Sequence, residues 1–546
     1  MKKLLVTIAL ILTSVGYTSA CTNLIVGPKA SVDGSSIISY AADSYSMYGY
    51  LFHYPAAKYA KGTMLPVYEW DTGKYLGDID QVRETYNVVG NINEYQVAIG
   101  ETTFTGRHEL QDSKGIVDYG SLIYIALQRS RSAREAIKVM TDLVQQYGYY
   151  STGESFSIAD PTQVWILEMI GKGPGTKGAV WVARRIPDDC IAAHANQSRI
   201  HQFPLDDKEN CLYSSDVISF AREKGYFTGL NKDFSFADAY APIDFGALRY
   251  CEARVWSYYN MFTDMGDKYL PYVLGTDSEP MPLFVKPNRK ISVRDVQHAM
   301  RDHYEGTPLT IADDLGAGAW DMPYRPSPLS FDIDGKKYFN ERPISTVQSG
   351  FVFVAQLRKS LPREIGGVLW FALDDANMSV FTPVYCSTNK IPKCYQELGL
   401  DLTTFSFESS FWVYNWVSNM VYPRYSLMID DLRKVQNELE DQFDESQEAI
   451  ENVAKKMYEE NPDKAVKYLT NYTNQMATST HQEWMQLGQY MIVKYNDMVV
   501  KKSDADGHLI KPTPGNPVSP ERPGYPEKFL RKVIKETGDR YLYPAE

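Results

Sequence analysis

The stretch 21-CTNLIVGPKASVDGSSIISYAADS-44 decides how the rest of the chain is read. Thr22 to Val26 is short and β-branched, Asp33-Gly34 is a turn signal, and Ser35 to Tyr40 reads as the partner strand. An antiparallel hairpin is therefore predicted, with Cys21 at the head of its first strand. The preceding residues 1–20, MKKLLVTIALILTSVGYTSA, read as a secretory signal peptide. Lys2 and Lys3 form the basic start, Leu4 to Leu12 the apolar run, and Thr18-Ser19-Ala20 the short-side-chain cleavage site. Cleavage there makes Cys21 the first residue of the mature chain. Its thiol and a free α-amine then belong to one residue, so nucleophile and base arrive together. A free thiol titrates near ~8.5 and an α-amine near ~7.7–8.0, so passing the proton from sulfur to nitrogen costs only about 1 kcal/mol in water.

Two other readings of Cys21 stand beside this one. It is an ordinary cysteine just inside the mature chain, or it is a lipoprotein cysteine acylated as a surface anchor. A lipoprotein signal normally carries Leu or a similar apolar residue three positions before the cysteine, where this chain has Thr18. The leader predicts secretion across the inner membrane into the periplasm, with lipid anchoring as the alternative.

A formal net charge of −12 argues against nonspecific nucleic-acid binding, which needs a basic surface. Beyond the leader no run of ~18 apolar residues occurs, so no transmembrane span is expected. Export to an oxidising compartment permits disulfides. The cysteines are Cys21, Cys190, Cys211, Cys251, Cys386 and Cys394. With Cys21 reserved for chemistry, at least one other is free. Cys386 and Cys394 flank a short loop and are the easiest pair to bridge, although sequence does not fix the connectivity.

Hairpin signals continue along the chain. After a tyrosine-rich irregular stretch, Tyr45 to Tyr86, comes TYNVVGNINEYQVAIGETTF with its turn near Asn93-Glu94. ESFSIAD turns at Asp160-Pro161 into QVWILEMIG, and GAVWVARRIP and CIAAHANQ are strand-like. Gly120 to Tyr147 reads as helix, or as two helices broken near Ser130. Ser132 and Glu135 have capping-box spacing, and Ala136, Ile137, Met140, Leu143 and Val144 form its apolar stripe. Hairpins with helices between and after them predict an α+β protein with layered antiparallel sheets. From about Ser406 the character changes. Trp412 to Phe443 and Glu448 to Val500 are helical by period, and KPTPGNPVSPERPGYP is a Pro-rich connector before a short last helix. The reading is a signal peptide over 1–20, a catalytic domain over 21–410, and a mainly helical region over 411–546 packed on it.

Several segments, in order, resemble the cysteine dipeptidase family of N-terminal-nucleophile hydrolases. They are the start at Cys21, GNINEYQVAIGETTF, IPDDCIAAHANQSRI, LFVKPNRKISVRDVQHAMRDHYEGTP, IGGVLWFALDDANMSVFTPVY and SFESSFWVYNWVSNMVYPRYS. That family is related to penicillin V acylase and conjugated bile acid hydrolase. The resemblance implies a four-layer αββα sandwich with the nucleophile at the end of the first strand. It makes Cys21 the nucleophile and its α-amine the base. Asp43 becomes the carboxylate that holds the ammonium form. Asn196, in HANQ, donates to the oxyanion or orients the amine. Arg254, in CEARVW, lies near the thiol and lowers its pKa. The acylase relatives carry asparagine or tyrosine where Thr103 falls here, so Thr103 offers the oxyanion its backbone N–H. They also place an arginine shortly before the aspartate; SYAAD has none, and recognition of a bile-acid or penicillin-like acyl group is not supported.

Each of these residues also has a structural reading: Asp43 as a turn cap, Asn196 as a buried strand-end partner, Arg254 as an ion-pair residue. DVQHAMRDHYEG offers His298 and Asp302 at i,i+4, a weak metal-site pattern against a helix carrying ion pairs. The acidic run Asp430 to Glu460 reads either as a coiled-coil arm or as a helix packed by its apolar side. The resulting expectation is an exported cysteine dipeptidase acting on short peptides without metal or organic cofactor. An amide hydrolase acting on N-acyl amino acids and a non-catalytic surface lipoprotein are the alternatives.

Overall fold

In the computed structural model, which describes residues 21–515 and 517–544, the opening stretch is the hairpin its sequence predicts. The leader read in residues 1–20 lies outside the described residues. Strand β1 (Asn23–Val26) pairs with β2 (Ser36–Asp43), Ile25 opposite Ile38 and Val26 opposite Ile37. β2 runs past the expected Tyr40 as far as Asp43, because Ala41, Ala42 and Asp43 find ladder partners on a later strand.

The other strands of two large sheets are, in chain order, β3 (His53–Tyr54), β4 (Val88–Val89), β5 (Ile92–Asn93), β6 (Ala98–Thr105), β7 (Gly153–Asp160), β8 (Gln163–Gly171), β9 (Ala179–Ile186), β10 (Ile191–His194), β11 (Cys211–Tyr213), β12 (Phe284–Val285), β13 (Ser349–Leu357), β14 (Gly367–Leu373) and β15 (Thr382–Tyr385). The first sheet has the order β12-β10-β1-β2-β13-β14-β15 and the second β11-β9-β8-β7-β6-β5-β4-β3. All neighbours are antiparallel. The helices that matter below are α1 (Tyr119–Leu127), α2 (Ala133–Tyr147), α3 (Ala253–Phe262), α4 (Val293–Ala299), α5 (Ser410–Val421), α6 (Tyr425–Glu460) and α7 (Pro462–Tyr495). The chain is thus α+β, with antiparallel sheets and a helical C-terminal region. The Tyr45–Tyr86 stretch, expected to be irregular, folds in part into a ribbon of Met64–Tyr68 against Tyr75–Asp80.

The second sheet is buried on both faces, which explains the unbroken apolar run of β8. Val164 and Ile166 enter the core shared with the first sheet, and Trp165 and Leu167 enter the core under α1 and α2. Those helices are separate, as the Ser130 break allows. Ser132 Oγ accepts the Glu135 N–H to start α2, and the stripe Ala136, Ile137, Met140, Leu143 and Val144 is buried. The two sheets are pinned face to face through His194 on β10. Its Nδ1 meets Thr102 Oγ1 and its Nε2 meets Ser157 Oγ, each at 2.7 Å. Burial, followed by the Arg199 charge, drives the imidazole down to about 3. The ring is therefore neutral, with one donor and one acceptor for the two hydroxyls.

The long helices break at Asn461-Pro462, not between Phe443 and Glu448 as the periodicity suggested. Asn461 Oδ1 accepts the Asp463 N–H at 2.8 Å and Pro462 takes the first helical position. α6 is no free arm. Its buried Glu451 holds Arg358 at 2.9 and 2.6 Å, and its buried Glu440 holds Arg301 at 3.0 and 2.5 Å. The Cys386–Cys394 pairing, the easiest to bridge by sequence, is not made, and the described cysteines are all free thiols. The Cys386 thiol is directed at the Arg363 carbonyl and the Cys394 thiol at the Ala477 carbonyl on α7, so the two sulfurs face different neighbours. Among the described residues no helix is long and apolar enough to cross a membrane.

One packing contact carries a pH dependence. Asp374, after β14, accepts from Asn415 Nδ2 and Ser418 Oγ of α5, each at 3.1 Å. Burial, then the neighbouring Asp375 charge, pushes its carboxyl from 3.8 up to about 8. The folded chain therefore keeps a proton that the unfolded chain releases. The stabilisation is complete below the unfolded value and is lost as pH rises between about 4 and about 8. Denaturant midpoints recorded across that window are expected to fall with pH, and less steeply in Asp374→Asn. An identical slope in the variant contradicts the assignment.

Candidate active site

Cys21 is buried, 3 % exposed, where the two sheets approach each other. Its Sγ lies 3.5 Å from Glu101 Oε1 on β6 and 3.9 Å from the Tyr40 hydroxyl on β2. Tyr40 donates to the same Glu101 oxygen, and Asn23 Nδ2 donates to the Glu101 carbonyl. The close approach depends on Gly100. A Cβ there would stand 2.3 Å from Asn23 Oδ1 and 3.0 Å from Tyr40 Cβ, inside contact distance, so any side chain would force β6 away from the first sheet.

Burial comes first, and the carboxylates of Glu101 and Asp43 second, in pushing the Cys21 thiol well above its ordinary range. The Asp43 backbone N–H works the other way by hydrogen bonding to the sulfur. The net direction keeps the sulfur protonated at neutral pH, so attack requires a base. The expectation that Arg254 lowers the thiol is not met, for a geometric reason. The guanidinium directs its donors at oxygens. Nη1 meets the Cys21 carbonyl at 2.6 Å and Thr22 Oγ1 at 2.8 Å; Nη2 meets the Ala195 carbonyl at 3.0 Å and Asn196 Oδ1 at 2.9 Å; Nε meets the Tyr250 carbonyl at 2.6 Å. Arg254, on α3, thus ties the nucleophile's backbone to Asn196. Burial, and then the like charge of Arg342, lower its own pKa to about 10.

Asn196 follows β10 with φ 63°, a left-handed conformation that asparagine tolerates better than most residues. Its Nδ2 donates to the Thr103 carbonyl at 2.8 Å, so Asn196 and Thr103 are brought together as the sequence suggested. Thr103 Oγ1 in turn donates to Glu154 Oε2 at 3.0 Å. Asp43 is fully buried and is held by Arg342 and by Ser349 Oγ, the latter at 2.6 Å. Burial nonetheless raises its carboxyl.

Sequence reading missed Tyr40, Glu101 and Glu154. All three lie inside segments quoted above, but only the three-dimensional contacts single them out. Glu101 and Glu154 are buried carboxyls on adjacent strands that act on each other electrostatically. Burial raises both, and Glu101 adds further to Glu154, which stands well above the carboxylate range. Two like charges cannot both persist there, so the pair shares a proton. Beside it a small cleft is lined with aromatic rings, among them Tyr40, Phe52, Trp70, Tyr119 and Phe351.

His298 and Asp302 do not share one helix face. α4 ends at Ala299, so Asp302 is off the helix, where it accepts from Ser257 Oγ at 2.7 Å. Among the described residues neither joins a cluster of metal-ligating groups. The ion-pair reading of this helix holds, with Asp295 bound to Arg289 and Arg294 to Glu440, Asp441 and Asp444.

Comparison with known proteins finds dipeptidases. A probable dipeptidase of Salmonella dublin is 27 % identical over 406 residues, 70 % of this chain and 85 % of the relative. A probable dipeptidase of Latilactobacillus sakei is 26 % identical over 484 residues, 84 % of this chain and 92 % of the relative. Dipeptidase A of Lactobacillus helveticus is 27 % identical over 454 residues, 78 % and 85 % of the two chains. The family model for peptidase family C69 matches residues 20–51 and 46–438, a span that contains Cys21, Asp43, Glu101, Asn196 and Arg254. By that match the chain belongs to peptidase family C69.

Proposed function

We propose that this chain is an exported cysteine dipeptidase with the four-layer αββα arrangement of N-terminal-nucleophile hydrolases, active in the periplasm after the leader is removed. The observation that carries the reading is the placement of Cys21. The residue directly after the cleavage signal is also the one whose sulfur sits among Glu101, Tyr40 and the Asp43 N–H, with Arg254 and Asn196 behind it.

Removal of residues 1–20 exposes the Cys21 α-amine. The amine takes the thiol proton, directly or through water, and the sulfur attacks the peptide carbonyl. Thiolate and ammonium form as a contact pair within one residue, which a buried site penalises less than a lone thiolate. Asp43, fixed by Arg342 and Ser349, keeps its N–H on the sulfur and supplies a carboxylate for the ammonium form. The oxyanion is held by the Asn196 amide and a backbone N–H near Thr103. Arg254 positions both halves of this arrangement by binding the Cys21 carbonyl and Asn196 Oδ1. The ammonium then protonates the leaving amine, and water hydrolyses the thioester by the reverse path. The substrates are short peptides, in line with the names of the relatives.

Assaying the exported protein on a panel of dipeptides and N-acyl amino acids tests this. Dipeptide cleavage is expected. Turnover of N-acyl amino acids alone makes the chain a non-peptide amide hydrolase. A diacylglyceryl adduct on Cys21 without turnover makes it a lipoprotein. Either result overturns the proposal.

A further inference from the structure

The acyl-transfer scheme leaves Glu101 and Glu154 without a task, although burying two carboxyls together is costly. We propose that this pair is the subsite for the free α-ammonium group of the substrate, which makes the site selective for peptides with an unblocked amino terminus. The inference rests on the peptidase reading of Cys21 and deepens it.

Reach comes first. In a bound peptide the α-nitrogen is two bonds, about 2.5 Å, from the carbonyl carbon. That carbon sits about 3–3.5 Å from the attacking sulfur. The ammonium of the residue being acylated therefore falls within about 6 Å of Sγ. Glu101 Oε1, at 3.5 Å from Sγ, lies inside that shell.

Charge and hydrogen bonding agree. One proton on two carboxyls leaves one net negative charge, which one ammonium matches. Glu101 Oε2 and Glu154 Oε1 are fully buried, and no donor of the chain reaches either. Buried acceptors left in this condition are uncommon in folded proteins, and a three-donor ammonium satisfies them. The remaining oxygens are fixed by the chain itself, Oε1 of Glu101 by Tyr40 and Oε2 of Glu154 by Thr103 Oγ1.

The edge of the sheet gives the direction of approach. β5 pairs with β6 only at Ala98, so the stretch of β6 carrying Glu101 has no strand on that side. The aromatic pocket lies there, sharing Tyr40 with the nucleophile. Tyr119, another of its walls, donates to the exposed Asp71 at 2.8 Å, and Asp71 adds negative potential to both glutamates. An incoming cation thus meets one carboxylate at the surface and the single negative charge of the pair inside.

The proposal links binding to activation. Glu101 is the largest charge opposing ionisation of Cys21. A bound ammonium neutralises it at the moment the scissile carbonyl reaches the sulfur, so the correct substrate makes its own nucleophile more acidic. An N-blocked substrate leaves that repulsion in place.

The test compares a dipeptide with its desamino analogue, identical except that hydrogen replaces the α-amino group. For the wild-type protein kcat/KM is expected to favour the dipeptide by about 10³-fold or more. In Glu101→Gln that ratio is expected to shrink by about 10²-fold, chiefly through a higher KM for the dipeptide. Glu154→Gln, read by the same ratio, covers the case in which Glu101→Gln does not fold, and the wild-type comparison needs no variant. Equal turnover of both substrates by the wild type overturns the proposal while leaving the dipeptidase reading intact. So does a Glu101→Gln enzyme that loses the same factor on both substrates, because Glu101 then serves the sulfur or the enzyme's own amine. Failure of the wild type to cleave the dipeptide overturns the dipeptidase reading itself.

Discussion

Cys21→Ala is expected to lower dipeptide hydrolysis by about 10⁴-fold or more, with little change in stability. The scheme has one nucleophile, and the sulfur is the group the whole junction surrounds. Alanine keeps the backbone carbonyl that Arg254 binds, the α-amine and the oxyanion donors, so the loss reports the thiol alone. Cys21→Ser is expected to fail as well. A hydroxyl is a far weaker acid than a thiol, and an α-amine of pKa ~8 does not deprotonate it. Steady-state rates give the factor, and acid-quenched intact mass of the wild type with a slow substrate shows the thioester. Turnover by the alanine variant equal to the parent sinks the assignment.

Arg254→Ala is expected to be the most damaging change outside the nucleophile. The side chain is 1 % exposed and supplies donors to four oxygens of residues 21, 22, 195 and 196, and a fifth on Tyr250. Removing it leaves several buried acceptors unpaired, at about 1–3 kcal/mol for each that water does not reach. A loss of about 3–5 kcal/mol in unfolding free energy is anticipated, together with a lower kcat in whatever fraction folds, because Cys21 and Asn196 lose their common anchor. Lysine at 254 is not expected to rescue, since one ammonium cannot address donors in the directions a planar guanidinium covers. Denaturant unfolding of the two variants beside the parent gives the number. A destabilisation under about 1 kcal/mol contradicts the role.

These two residues also show how far sequence carries. The opening hairpin, the Asp160-Pro161 turn and the stripe of α2 were legible because each signal is local, spelled within one turn or one periodic run. The break at Asn461-Pro462 was spelled too, as an N-cap followed by proline, but the charged period runs through it and masked the stop. Arg254 lies against the backbone of Cys21. Which atoms it meets was not legible, because that depends on how α3 lies against β1 and β10. The cysteine connectivity was left open for the same reason: short separation in sequence says nothing about where two sulfurs point. Glu101 is the instructive miss. In VAIGETTF an alternating reading sends Ile99, Glu101 and Thr103 to one face, and a charged residue there reads as solvated. The helices and the Met64–Asp80 ribbon cover that side of the sheet, so the carboxylate is buried beside the sulfur.

The account turns on Cys21 being the amino terminus of the working protein. Intact mass of the exported, catalytically active form measures this directly. The expected mass is that of a chain beginning at an unmodified Cys21. Full activity in protein that retains any leader residue ahead of Cys21, or that carries an acyl group on its amine, would contradict it.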